Sequence, residues 1–308
     1  MRVAVMAAGA VGGYFGGRMA AAGHDVTFFA RGAHRDAIRR DGLKIESPLG
    51  NLHVKDVQVT DNPARIAPVE IVLFAVKLWD LEKAAEQLRP LVNDATRVIT
   101  VQNGIDAVER LEPILGRGRV VPGYAQIATV IGTPGVISHT SQFALMRFGH
   151  PDRHADPQLS GFADAAQKAG LDVALADNIE VELWNKFVFL SSLAGMTGAT
   201  RQPIGPILAD PDTRALFKDL IREVVAVGHA KGVALPPDHA EKAFAFAERT
   251  LPPGMKASMA HDLERGNRLE LDWLTGKVVA LGRELGVPTP ASVAVYAVLK
   301  PHRMGRTQ

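Results

Sequence analysis

Short apolar runs punctuate the first half of the chain, at Val3 to Met6, Val26 to Phe29, Ile71 to Val76 and Val98 to Val101, with helically spaced apolar positions between them. Strands so uniformly apolar are covered on both faces, so this rhythm predicts βαβ units around a mainly parallel sheet. A further extended pair, Leu43 to Glu46 and Leu52 to Val59, is joined through Ser47-Pro48-Leu49-Gly50-Asn51 and reads as a hairpin inserted into that pattern. The β-rich stretch from Val120 to Phe148, broken at Gly132, Pro134 and Gly135, is expected to extend the sheet. From about Asn178 the strand signals cease. Leu271, Leu274, Val278, Leu281 and Leu285 then form the apolar stripe of one helix, stopped by Gly286-Val287-Pro288. The expected fold is α/β: a Rossmann-like, doubly wound N-terminal domain over residues 1–177, then an all-helical C-terminal domain over 178–308.

Composition narrows the function classes. A chain of 308 residues with 47% hydrophobic content is long enough for two cores. With 22% charged residues and a net charge of +2, nothing marks a nucleic-acid partner. The basic end, Lys300 to Arg306, has no aromatic platform among its cations and reads as a solvated tail. The absence of cysteine removes disulfides, thiolate metal sites and cysteine nucleophiles, and points to a reducing, cytoplasmic setting. Met1 to Met6 runs straight into glycines without a cleavage-like boundary, so it reads as a strand and not a signal peptide. Phe187 to Met196 falls short of the roughly 18 apolar residues that span a bilayer, so no membrane association is expected. No metal is expected either, since Pro151 separates His150 from His154 in a loop. The oligomeric state is open, a homodimer included.

The first chemical signal is Ala7-Ala8-Gly9-Ala10-Val11-Gly12-Gly13, set between a strand and the helical run Tyr14 to Ala22. A dinucleotide's pyrophosphate needs glycine where the backbone turns close to it, and the unpaired N–H groups of a helix N-terminus to meet its charge. Gly9, Ala10, Val11 and Gly12 are the candidate cradle, although Ala7 stands where the first glycine is usual. The end of the second strand reads Phe28-Phe29-Ala30-Arg31-Gly32-Ala33-His34-Arg35. The acid that would accept from a ribose 2′-hydroxyl is absent and Arg31 suits a 2′-phosphate, so the cofactor read here is NADP(H). Lys77 and Asn103 follow two further strands, at the ends where open α/β sheets bind ligands; each could equally cap its own loop.

The C-terminal half offers a candidate acid. Lys186 in Glu182-Leu183-Trp184-Asn185-Lys186 precedes a long uncharged run, where apolar surroundings would lower its pKa toward neutrality; a lysine snorkelling from a buried helix gives the same pattern. Ser258, Asp262, Gly266 and Glu270 recur every fourth residue, as a polar stripe lining a pocket or as a helix's solvated flank.

In this order, the glycine-rich turn, Arg31-Gly32, Val76-Lys77, Gln102-Asn103-Gly104, Glu182 to Lys186, Ala257-Ser258-Met259-Ala260-His261-Asp262 and Leu269-Glu270-Leu271-Asp272 resemble the ketopantoate reductase (2-dehydropantoate 2-reductase) family over nearly the whole chain. The resemblance implies NADPH-dependent reduction of a 2-oxo acid to a 2-hydroxy acid on the route to pantothenate. It makes Lys186 the catalytic lysine, Glu270 its acidic partner, Ser258 a substrate contact, and Lys77 and Asn103 residues of the cofactor crevice. Asp262 joins Ser258 as a candidate substrate-binding residue. Where members of the family carry asparagines near the substrate, this chain holds Leu190, Ala194 and Met255, which leaves open a more apolar 2-oxo acid. A non-catalytic NADP(H) sensor on the same fold is the other alternative.

Overall fold

The computed structural model describes residues 1–306, which divide into two compact units. Residues 1–102 and 106–179 form the first; residues 103–105 and the described residues from 180 onward group together as the second. Asp177 lies in the short connection between the last strand and the first long helix.

In the first unit the strands are β1 (Arg2–Met6), β2 (Asp25–Phe29), β3 (Leu43–Glu46), β4 (Leu52–Val54), β5 (Gln58–Thr60), β6 (Ile71–Phe74), β7 (Arg97–Thr100), β8 (Val120–Val121), β9 (Gly123–Ile131), β10 (Val136–Phe148) and β11 (Asp172–Leu175). Its helices are α1 (Ala10–Ala21), α2 (Gly32–Asp41), α3 (Leu81–Leu88), α4 (Ala107–Leu115) and α5 (Pro157–Lys168). Six strands make a wholly parallel sheet in the order β5-β2-β1-β6-β7-β8. The four residues of β6 are all buried, which is why they read as a continuous apolar run.

Two expectations for the extended segments need correction. Leu52 to Val59 is not one strand: β4 stops at Val54 after pairing antiparallel with β3, and β5 joins the parallel sheet beside β2. Only Val120 and Val121 extend the parallel sheet. The remainder of that stretch forms the antiparallel pair β9–β10, and β10 also pairs with β3 near its start and β11 near its end, giving a second sheet.

Helix α1 lies between these two sheets, and its paired glycines allow it. A side chain at Gly16 would meet Val5 at 2.5 Å and Phe28 at 2.8 Å on the parallel sheet. One at Gly13 or Gly17 would meet Ile137 at 2.9 Å or Ile45 at 2.8 Å on the second sheet. At Gly12 a methyl group would strike the Ala7 carbonyl oxygen. The missing side chains let both sheets approach the helix backbone, and Val5, Phe28, Ile45 and Ile137 are buried as a result.

The second unit is helical: α6 (Ile179–Thr200), α7 (Ile204–Ala209), α8 (Pro211–Ala230), α9 (His239–Thr250), α10 (Ser258–Arg265), α11 (Thr275–Leu285) and α12 (Pro290–Leu299). Its core gathers Trp184, Phe187, Phe217, Phe244, Leu271 and Val278, among others. Buried Glu223 of α8 accepts from the amides of Ala291 and Ser292 and from the Ser292 hydroxyl, closing the N-terminus of α12. No described helix is long and apolar enough to cross a membrane.

The close packing of α1 makes Gly16→Val a stability variant. Valine gains nothing in helix propensity that offsets the collision with Val5 and Phe28, so the substitution is expected to lower unfolding free energy by about 1 to 3 kcal/mol. Urea denaturation measures this, and an unchanged midpoint would show that the sheets yield freely around the helix.

Candidate active site

The glycine-rich turn joins β1 to α1. Gly9 is the N-cap of α1, and no side chain caps that end, which leaves the first amides to meet an anion. A side chain built on Gly9 would touch nothing within 4 Å, so the turn is open on that side and closed against Ala7 at Gly12. Ala10 and Val11 supply the first two residues of the helix. This backbone fits a dinucleotide's pyrophosphate.

Arg31 is the N-cap of α2, at the end of β2, and is exposed. Its guanidinium donates to Gln87 at 2.6 Å and lies 5.1 Å from the Phe29 ring centroid. Among the described residues no carboxylate pairs with it, whereas neighbouring Arg35 is neutralised by Asp36 and Asp61. Of the two, Arg31 therefore has the charge and the remaining donors to take a phosphate. Lys77 is exposed after β6, its ammonium 5.5 Å from the Trp79 ring centroid.

The second unit holds a polar chain. Lys186, in the first half of α6, donates from Nζ to Asn103 Oδ1 at 3.0 Å, and Asn103 Nδ2 donates to Glu270 Oε2 at 3.3 Å. The partners fix the amide orientation, because an ammonium only donates and a carboxylate only accepts. Asn103, expected at the cofactor crevice from its place after β7, thus engages the lysine and the glutamate. Burial pushes the Lys186 ammonium down from 10.5 to about 8, and the charge of Glu270 opposes that fall. The expectation for Lys186 drawn from its apolar surroundings agrees with this direction. Glu270 is itself buried.

The remaining candidates scatter. Ser258 opens α10 and is exposed, while Asp262, one turn on, is half-buried and accepts from Asn267 Nδ2 at 3.1 Å. The fourfold polar stripe is not one helical face. Gly266, with φ of 73°, ends α10 in the left-handed region, and Glu270 precedes a separate short turn of helix. Leu190 is half-buried one turn along α6 from Lys186, and Met255 is exposed in the loop before α10. Ala194 is fully enclosed in the helical core, so as a wall of an open pocket it is corrected to a packing residue.

The structure also brings together His150 and His154, which the sequence reading kept apart. Their rings stack 3.8 Å apart beside Asp156, through a turn that places Arg153 at φ 59°. The Asp156 carboxylate already accepts from Arg97 at 2.5 Å, His150 at 3.0 Å and the Gln158 amide at 3.0 Å. Its oxygens are spent on an ion pair and on the N-terminus of α5, and we assign no metal there. Two residues quoted within the sequence motifs were given no role there. Gln102 is buried and holds the Phe74 carbonyl at 2.7 Å, and His34 touches the glycine-rich turn; position beside a recognised motif was their one signal.

Comparison with known proteins adds to this geometry. The chain matches the family model for ketopantoate reductase PanE/ApbA over residues 3–153 and that for its C-terminal region over 178–303. It is 31% identical to the 2-dehydropantoate 2-reductase of Mesorhizobium japonicum, over 97% of each chain. The crystal structure of a PanE/ApbA family ketopantoate reductase from Ralstonia eutropha superposes with a TM-score of 0.88 at 32% identity, over 98% of each chain. A D-mandelate dehydrogenase, solved with NADH and anilino(oxo)acetate, shares the fold at a TM-score of 0.86 and 18% identity, over 98% of each chain.

Lys186 should titrate at about 8, and Glu270→Gln should lower that value further, since the carboxylate is what favours the ammonium. Below about 8 both folded and unfolded chains carry this proton and the cost of the buried charge is complete; it fades as pH rises from about 8 through 10.5. Competitive acylation of lysines across that range reads the titration directly. A Lys186 that reacts in step with exposed lysines contradicts the assignment.

Proposed function

Because this chain belongs to the ketopantoate reductase family, oxidoreductases that act on CH–OH groups, we propose that it reduces a 2-oxo acid to a 2-hydroxy acid with NADPH, with ketopantoate as the leading substrate and pantothenate synthesis as the setting. The observation that carries this reading is the Lys186–Asn103–Glu270 chain, with its ammonium lowered to about 8. NADPH, when bound, supplies the hydride. The remaining work is done by side chains. As the ketone oxygen gains charge, the Lys186 ammonium stabilises the growing alkoxide and then gives it a proton from Nζ. Glu270 favours the charged lysine, so that most of it is protonated at neutral pH, and Asn103 fixes where that charge sits. Ser258, the substrate contact that the family resemblance implies, has a hydroxyl suited to the substrate's polar end. Gly9, Ala10, Val11 and Gly12 receive the pyrophosphate, Arg31 the 2′-phosphate, and Lys77 adds positive charge at the strand ends.

A second reading, a bulkier or more apolar 2-oxo acid, is favoured by Leu190. It places an apolar side chain one helical turn from Lys186, where family members carry an amide, and an apolar neighbour cannot hydrogen-bond a substrate hydroxyl. A panel of 2-oxo acids of graded size, ketopantoate included, followed by NADPH absorbance separates the two by rank order. Leu190→Asn should then shift relative turnover toward ketopantoate. Binding of NADPH without oxidation by any member of the panel would favour a sensor.

The cofactor reading makes its own demand. Loss of a charge-assisted contact costs on the order of 1.5 to 3 kcal/mol, so Arg31→Ala should weaken NADPH roughly ten-fold or more and leave NADH nearly untouched. Fluorescence titration of both cofactors decides this; equal losses would assign Arg31 to the fold or to the pyrophosphate.

A further inference from the structure

His34, in the first turn of α2, has both ring nitrogens engaged by backbone. The Gly135 amide donates to Nδ1 at 3.0 Å, and Nε2 lies 2.7 Å from the Ala8 carbonyl oxygen. An amide N–H can only donate, so Nδ1 carries the lone pair, and Nε2 must carry the hydrogen that it gives to Ala8. The imidazole is therefore neutral, in one tautomer. Burial, which lowers its pKa, outweighs the Ala8 contact, which raises it, and this keeps the ring in that form.

The two partners belong to different parts of the first unit. Gly135 sits in the turn between β9 and β10, and its own carbonyl accepts from Lys44 at the start of β3, so it is fixed to the second sheet. Ala8 is buried within the glycine-rich turn, its amide held by the Phe29 carbonyl at 2.7 Å. A trans peptide is planar, with the carbonyl of one residue and the N–H of the next pointing in opposite directions. Holding the Ala8 carbonyl toward His34 therefore turns the Gly9 N–H away from it. No side chain caps that end of the helix, and the surface at Gly9 is open.

We propose that His34 is a positioning residue for the dinucleotide turn: held through Gly135 to the second sheet, it grips the Ala8 carbonyl and so aims the Gly9 amide at the cofactor's pyrophosphate. The inference rests on the NADP(H) reading above. It differs from the role of Arg31, because the pyrophosphate is common to both nicotinamide cofactors.

Three substitutions separate the two halves of the grip. In His34→Gln the amide nitrogen reaches the place of Nε2 and keeps the donor to Ala8. In His34→Asn the amide oxygen stands at the place of Nδ1, keeps Gly135, and is too short for Ala8. His34→Ala loses both. NADPH and NADH are titrated by fluorescence on the intact chain, with circular dichroism confirming the fold, and kcat is measured at saturating NADPH. One lost hydrogen bond corresponds to roughly 3- to 10-fold in affinity. His34→Ala and His34→Asn should each weaken both cofactors by that factor and by equal amounts, with kcat within about two-fold of the parent, while His34→Gln binds as the parent does. Parent-like binding by all three variants overturns the proposal, and so does a His34→Gln as weak as His34→Ala or a loss confined to NADPH. A parent protein that binds neither cofactor instead overturns the NADP(H) reading itself, and the role of His34 with it.

Discussion

The closeness of α1 to two sheets at once is the constraint on which the first unit depends. A helix normally holds its neighbours off by the length of its side chains, and here glycines at four positions remove that spacing on both sides. One consequence is packing: Val5 and Phe28 below, and Ile45 and Ile137 above, bury against bare helix backbone. Another is chemical. The N-terminus of α1 is pinned in direction by both sheets, and the turn that precedes it is gripped by His34 of α2, which Gly135 ties to the second sheet. The pyrophosphate site proposed for this turn would consist of backbone amides with no side chain to adjust, so its accuracy would come from such fixed surroundings.

The second unit solves a different problem, that of keeping a cation partly out of water without neutralising it. Burial alone would drive the Lys186 ammonium toward the free amine, and Glu270 restrains that drift so that its pKa rests near 8. At neutral pH the charged form then exceeds the neutral one by roughly ten to one. Such a group is acidic enough to release its proton within a reaction and still charged when the reaction begins. Asn103 connects the two charges, accepting from the Lys186 ammonium and donating to the Glu270 carboxylate.

Much of this was legible from spacing, and the exceptions share a cause. The apolar strands, the glycine-rich turn and the change to helices at about residue 178 are local signals, since each is written in a few consecutive residues. Which sheet a strand joins is not local. Leu52 to Val59 is extended enough to look like one strand, but its alternation slips by one residue at Lys55-Asp56, and Val54 and Gln58 end in different sheets. The polar stripe through Ser258 and Glu270 assumed that a helix ran through Gly266, although a glycine at that place equally announces a left-handed cap. The partners of Asn103 were invisible because they lie 83 and 167 residues away. Family resemblance, rather than spacing, is what singled out Lys186 from a snorkelling lysine; its hydrogen bond to Asn103 joins it to Glu270.

The central claim is that Lys186 donates the proton, and its removal tests this most directly once a reducible 2-oxo acid is in hand. A positioned general acid contributes typically 10² to 10⁴-fold. Correctly folded Lys186→Ala should therefore oxidise NADPH with that substrate more slowly by roughly this factor. Its NADPH affinity should remain within a few-fold of the parent, because the glycine-rich turn proposed to receive the pyrophosphate belongs to the other unit. Turnover close to the parent rate would contradict the account and leave Lys186 as a buried lysine with its head in water.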